Sequence, residues 1–254
     1  MFSNLQRAAL AALLPAALFT AAHAQTIIED GHIDLVPGYD AASGTWSFTS
    51  EYSGGSLTPG GGYLHHDVAD VIYFVSDNTG SVQGGGKITS PGGFLGTQAG
   101  DPLWIIPQVQ DFGVPWLGTG GYDASGFDFT INFVDFRTPE DGMLALWTTG
   151  SFGAPTWLVS SDTGIQPAPN SLTVATTTHT HYNWGFTRPG LYEVDVTLSA
   201  LIGGVQQTSE VFTLKLAISE RPAVVPEPAT IATLVGGASL LLAFSTRRRF
   251  RHGA

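Results

Sequence analysis

Two histidines, His179 and His181, stand one residue apart in the run TTTHTHYNWGF at Thr176–Phe186. In an extended strand, residues i and i+2 point to the same side with Cβ atoms about 7 Å apart, so both imidazoles can converge on one cation. A competent site needs a further ligand from elsewhere in the chain. The segment DGHIDL at 30–35 offers one in His32, with Asp34 on the same side of that segment, and His65 and His66 are a second source. The chain has no cysteine, so only nitrogen and oxygen donors are available, a set that suits zinc, copper, nickel or manganese. The competing expectation is an edge strand on which His179 and His181 face water while Tyr182 and Trp184 face inward.

Trp104, Trp116, Trp147, Trp157 and Trp184, beside Gln108, Gln110 and Asp111, could build a sugar-stacking platform. Tryptophan at alternating strand positions is more often core, and Trp116, after the loop signature Gly113-Val114-Pro115, is the best candidate for a glycan contact. Catalytic groupings are thin. Ser151 in TGSFG lacks a strand–elbow–helix context, and Asp128/Asp135 and Glu193/Asp195 read as solvated strand faces. Asp67, Asp70 and Asp77 flank a strand without a calcium-loop pattern. With no nucleophile or acid–base set legible, the chain does not read as an enzyme, and a hydrolase is only a third reading.

These side chains must ride on strands. TWSFTSEY places Trp46 and Phe48 on one face, DVIYFVSD has the content of a buried strand, and FDFTINFVDF puts Phe127, Phe129, Ile131 and Phe133 on one face. MLALWTT, APTWLVSS, SLTVATTTHTHYNWGF, LYEVDVTLSAL and EVFTLKLAI follow, separated by Gly/Pro turns such as TPGGG at Thr58–Gly62, and no window shows a sustained helical period. The reading is all-β, an antiparallel, immunoglobulin-like β-sandwich of eight or so strands. In the last third, F-x-x-P-G-x-Y from Phe186 to Tyr192 matches the pattern in which tyrosine packs at a sheet corner. Tyr192, Val194, Val196 and Leu198 are expected inward, with Glu193, Asp195 and Thr197 outward. Residues 53–62 and 119–126 read as exposed Gly-rich loops.

Composition separates this body from the two ends. Of the 21 acidic residues only Glu227 lies outside 25–222, against five basic residues inside it: Lys87, Arg137, Arg188, Lys215 and Arg221. So acidic a surface repels nucleic acid and anionic lipid, and suits solubility or cation binding. Residues 1–24, with Arg7, an apolar run and Ala22-His23-Ala24, read as a signal helix for signal peptidase. The domain plan is therefore a signal peptide at 1–24, a surface domain at 25–221 and a sorting segment at 222–254.

That last segment joins VPEP at 225–228 to an uncharged run at 229–246 and an arginine-rich tail at 247–254. The run, about 27 Å long as a helix, can cross a bilayer, and Arg247, Arg248 and Arg249 place the tail inside and the body outside. Pro226, Glu227 and Pro228, with that helix and the arginines, resemble the PEP-CTERM sorting signal of Gram-negative bacteria. The resemblance implies processing by an exosortase, a transient membrane anchor, and a destination at the cell surface, outer envelope or extracellular matrix.

DGHIDL at 30–35, WIIPQVQDFGVPWLG at 104–118, LALWTTGSFGAPTWLVSSDTG at 144–164 and HTHYNWGFTRPGLYEVDVTLSA at 179–200 together resemble the choice-of-anchor M domain of bacterial surface proteins. The resemblance spans roughly 27–218 and implies that the body works at the cell surface. It implies no activity. The first functional expectation is an exported binding or structural protein associated with the envelope or exopolysaccharide. The alternatives are a surface metal-binding protein using His179, His181, His32 and Asp34, and a carbohydrate-binding module.

Overall fold

In a computed structural model of the chain, residues 25–77, 85–120, 126–150, 153–162, 164 and 168–223 are described. The expected signal helix, the expected sorting motif, the apolar run with its arginine tail, and Ser151 lie outside the described residues. Among the described residues no helix is long and apolar enough to cross a membrane.

Sixteen strands run through the described residues: β1 (Thr26–Ile28), β2 (His32–Asp40), β3 (Thr45–Ser53), β4 (Tyr63–Asp67), β5 (Val71–Val75), β6 (Gly86–Pro91), β7 (Ala99–Ile106) and β8 (Trp116–Gly120), then β9 (Phe129–Arg137), β10 (Leu144–Thr149), β11 (Pro155–Ser160), β12 (Ser171–Val174), β13 (His179–His181), β14 (Asn183–Phe186), β15 (Gly190–Ile202) and β16 (Val205–Ile218). The all-β expectation holds. The strands are about twice as many as expected, because one long run, SLTVATTTHTHYNWGF, divides into three strands and six further strands, β1, β2, β4, β6, β7 and β8, lie outside the alternating runs. One sheet has the order β1-β5-β16-β15-β9-β12, a second β11-β10-β14-β7-β6, and a third β13-β8-β2-β3-β4. The sheets are mixed and not purely antiparallel: β1 pairs with β5, β5 with β16, and β2 with β8 in parallel.

One core serves all three sheets. Phe48, Tyr52 and Leu117 come from the third sheet, Trp104, Ile106 and Trp184 from the second, and Tyr73, Phe129, Val196 and Leu214 from the first. β5 is buried along its whole length: Val71, Tyr73 and Val75 enter this core, while Ile72 and Phe74 pack with Ala217 on the opposite face. A strand covered on both faces must be continuously apolar, as VIYFV is. On β15, Tyr192, Val194, Val196 and Leu198 are buried and alternate with half-buried Glu193, Asp195 and Thr197. The hairpin to β16 turns on Gly203 and Gly204, both at positive φ, a geometry two side-chain-bearing residues would adopt only with strain.

Tyr192 packs edge-on against Phe186, and its hydroxyl donates to the Arg188 carbonyl at 2.9 Å and accepts from the Arg188 amide at 3.1 Å. Both bonds close the chain onto itself where β14 turns into β15. Tyr192→Phe should lower unfolding free energy by about 1–3 kcal/mol, since it orphans backbone groups without leaving a large cavity. Urea denaturation checks this, and an unchanged midpoint would contradict a hydroxyl-held corner.

The run SLTVATTTHTHYNWGF is not one strand. β12 joins the first sheet, β13 the third and β14 the second. A turn at Ala175–Thr178, closed by the Thr178 amide on the Ala175 carbonyl, separates the first two. Consecutive burial of His181 and Tyr182 breaks the alternation between the last two.

Candidate metal centre

β2 and β13 lie on either side of β8, and this placement makes the site. In register, Asp34 stands opposite Gly118, and Gly118 opposite His181; one step along, His32 stands opposite Trp116. With strands about 4.8 Å apart, the backbones carrying His32 and His181 are about 9.6 Å apart, within reach of two imidazoles that fold toward each other. They do: His32 Nε2 and His181 Nε2 are 3.0 Å apart. Asp34 Oδ2 is 3.5 Å from His32 Nε2, and Asp34 Oδ1 is 3.8 Å from His181 Nε2. The His179 ring meets those of His32 and His181 edge-on, with centroids 5.6 and 5.2 Å away. One donor atom from each of His32, Asp34, His179 and His181 falls within 4.8 Å of all the others.

The site's burial is graded. Asp34 is 1% exposed and His181 7%, whereas His179 is exposed. Neither carboxylate oxygen of Asp34 accepts a hydrogen bond, and His181 Nδ1 makes none. A buried carboxylate with no donor is costly, so Asp34 binds its proton more tightly than an ordinary carboxyl. Burial is the main cause and the charge of Glu51 adds to it, while His32 and His179 oppose it. Burial, with His32 and His179 nearby, pushes His181 down to about 3, so its imidazole stays neutral at physiological pH and keeps a lone pair. His32 Nδ1 lies 3.4 Å from Ser53 Oγ; with the proton on Nδ1, its Nε2 lone pair faces Asp34 and His181.

Two residues that ligand counting overlooks shape the centre. Gly118 lies under the His181 ring: a Cβ there would meet the Thr180 carbonyl oxygen at 2.6 Å and His181 Nδ1 at 2.7 Å. Glycine inside a strand marks a close approach by another group, and that signal stands in PWLGTGG. Trp116 stacks on His181 at 3.8 Å and 14°, touches His32 at 4.8 Å, and is anchored by its Nε1–H to the Gln108 carbonyl. It is half-buried, with one ring face occupied by histidine.

The other candidate residues are dispersed. Trp104, Trp147 and Trp184 are core, and Trp157 packs beside Trp147, so the five tryptophans form no common platform. The reason is strand alternation, which puts Trp104 and Trp184 in the shared core and Trp147 with Trp157 on the opposite face of the second sheet. Gln108 Oε1 accepts from the Thr149 amide and Asn183, and Asp111 accepts from the Gly85 and Phe112 amides, so both brace loops; Gln110 is exposed. Asp135, Glu193 and Asp195 surround Arg137, while Asp128 accepts from the Thr176 amide. Asp67 caps a short 3-10 turn at Val68–Asp70, and Asp77 holds Lys87 and Trp104 Nε1. His65 lies on the same side of the third sheet as Asp34, whereas His66 occupies the alternate position. Residues 53–62 are mostly exposed as expected, but Thr119 and Gly120 end β8 and are buried, a correction to the loop expected from 119. The competing picture of two outward histidines fails at His181, which is buried beside Tyr182 and Trp184.

No protein-family model, no curated protein and no solved structure matches the chain.

Proposed function

We propose that this chain is an exported surface protein whose body binds one divalent transition-metal ion through His32, Asp34, His179 and His181. The observation that carries the reading is Asp34, a buried carboxylate without a hydrogen bond, facing two imidazole nitrogens that are themselves 3.0 Å apart. A tetrahedral ion with bonds of about 2.0–2.1 Å holds its ligand atoms about 3.3 Å apart, close to the 3.0, 3.5 and 3.8 Å separations here. Three imidazoles and one carboxylate suit zinc or copper better than manganese, which prefers an oxygen-rich shell.

The finer fold reading, an immunoglobulin-like sandwich, is supported by the shared core and the Tyr192 corner. Export, exosortase processing and display at the envelope or in exopolysaccharide rest on the two chain ends and on the choice-of-anchor M resemblance. Metal analysis of the full-length protein, purified in mild detergent, tests the central claim. Near one equivalent of zinc or copper is expected, falling to background when His179→Ala and His181→Ala are combined. A wild-type protein that takes up no metal sinks it.

A further inference from the structure

The row that contains Asp34 continues past the metal centre to the edge of the sheet. Asp34 stands opposite Glu51, and Glu51 opposite His65 on the edge strand β4. Because directly opposed residues share a face, all three side chains lie on the side of the sheet that carries His32 and His181. His65 Nδ1 is 3.7 Å from Glu51 Oε2. Side-chain exposure falls from 61% at His65 to 19% at Glu51 and 1% at Asp34, so the row descends from solvent to the buried centre.

We propose that His65 and Glu51 form an outer, exchangeable station through which a divalent cation reaches the inner centre, a proposal resting on the reading of His32, Asp34, His179 and His181 as ligands. One imidazole and one carboxylate supply two protein ligands, and water completes the shell, so the outer ion is held weakly and released readily. Successive stations sit one strand spacing apart, about 5 Å, so an ion passes from Glu51 to Asp34 without losing contact with carboxylate oxygen. With only one imidazole and one carboxylate, the outer pair holds an ion too weakly to keep it, so it serves loading and not a two-metal centre.

A route changes both directions of travel equally. In His65→Gln, an exposed and charge-conserving substitution, zinc association followed against a chromophoric chelator should slow about tenfold, and zinc release should slow by the same factor. The equilibrium constant and the capacity of one zinc per chain should then stay as in wild type. Unchanged rates would overturn the proposal, as would faster release at an unchanged association rate, which would make His65 part of the inner centre. A wild-type protein that binds no zinc would instead fail the inner reading itself.

Discussion

Gly118→Val should bind zinc at least about 100-fold more weakly than wild type and lose about 1–3 kcal/mol of unfolding free energy. Neither effect involves removing a ligand. The valine Cβ would enter the space of the Thr180 carbonyl and the His181 ring, at 2.6 and 2.7 Å, and the first of these is backbone that cannot swing aside. β13 must then lift from β8 or the His181 ring must leave its stack on Trp116, and either movement separates His181 Nε2 from His32 Nε2. Gly60→Ala is the matched control, since its Cβ meets nothing within 4 Å and both quantities should stay as in wild type. Chelator-competition titration and urea unfolding on the same preparations read the two effects. Wild-type affinity in Gly118→Val would show that the centre does not depend on close approach over β8.

The second large effect has opposite signs with and without metal. Asp34→Asn should weaken zinc binding by about 100-fold or more, because it replaces an anionic ligand by a neutral amide. The metal-free protein should become more stable, by about 1–3 kcal/mol at neutral pH, because a buried, unbonded charge is gone. The pH dependence identifies the cause. A carboxyl whose folded pKa is raised holds its proton more tightly folded than unfolded, so metal-free wild type loses stability as pH rises from the ordinary value of 3.8 through the raised one. That descent should be absent from Asp34→Asn. His181 contributes with the other sign, since a folded value near 3 against 6.5 unfolded gives stability that is complete above 6.5 and lost as pH falls toward 3. Subtracting the two proteins' curves removes the His181 part. An Asn variant no more stable than the metal-free parent would mean that Asp34 carries no unmet charge.

In the proposed centre, the stability that Asp34 withholds from the metal-free chain would return on loading. An ion that binds only the folded form adds about 2.7 kcal/mol when present at a hundred times its dissociation constant. A centre built in this way couples its occupancy to the rigidity of β2, β8 and β13. The outer pair of His65 and Glu51 lies on β3 and β4 of the same sheet, so loading would proceed inward across the strands that it tightens.

Much of this was legible in the residues alone. Period-two alternation specified the β class, the inward face of β15 and the pairing of each candidate ligand with its strand neighbour, His179 with His181 and His32 with Asp34. These are local consequences of backbone geometry, which repeats every two residues whatever the rest of the chain does. Strand number was less legible, because SLTVATTTHTHYNWGF reads as one run although the chain changes sheet twice within it, and because six further strands lie outside the alternating runs. That His32 and His181, 149 positions apart, meet across β8 is a matter of strand order, which no local pattern encodes. Only the assembled sheet sets Gly118 between them, and only there does the missing Cβ become the space that the His181 ring occupies.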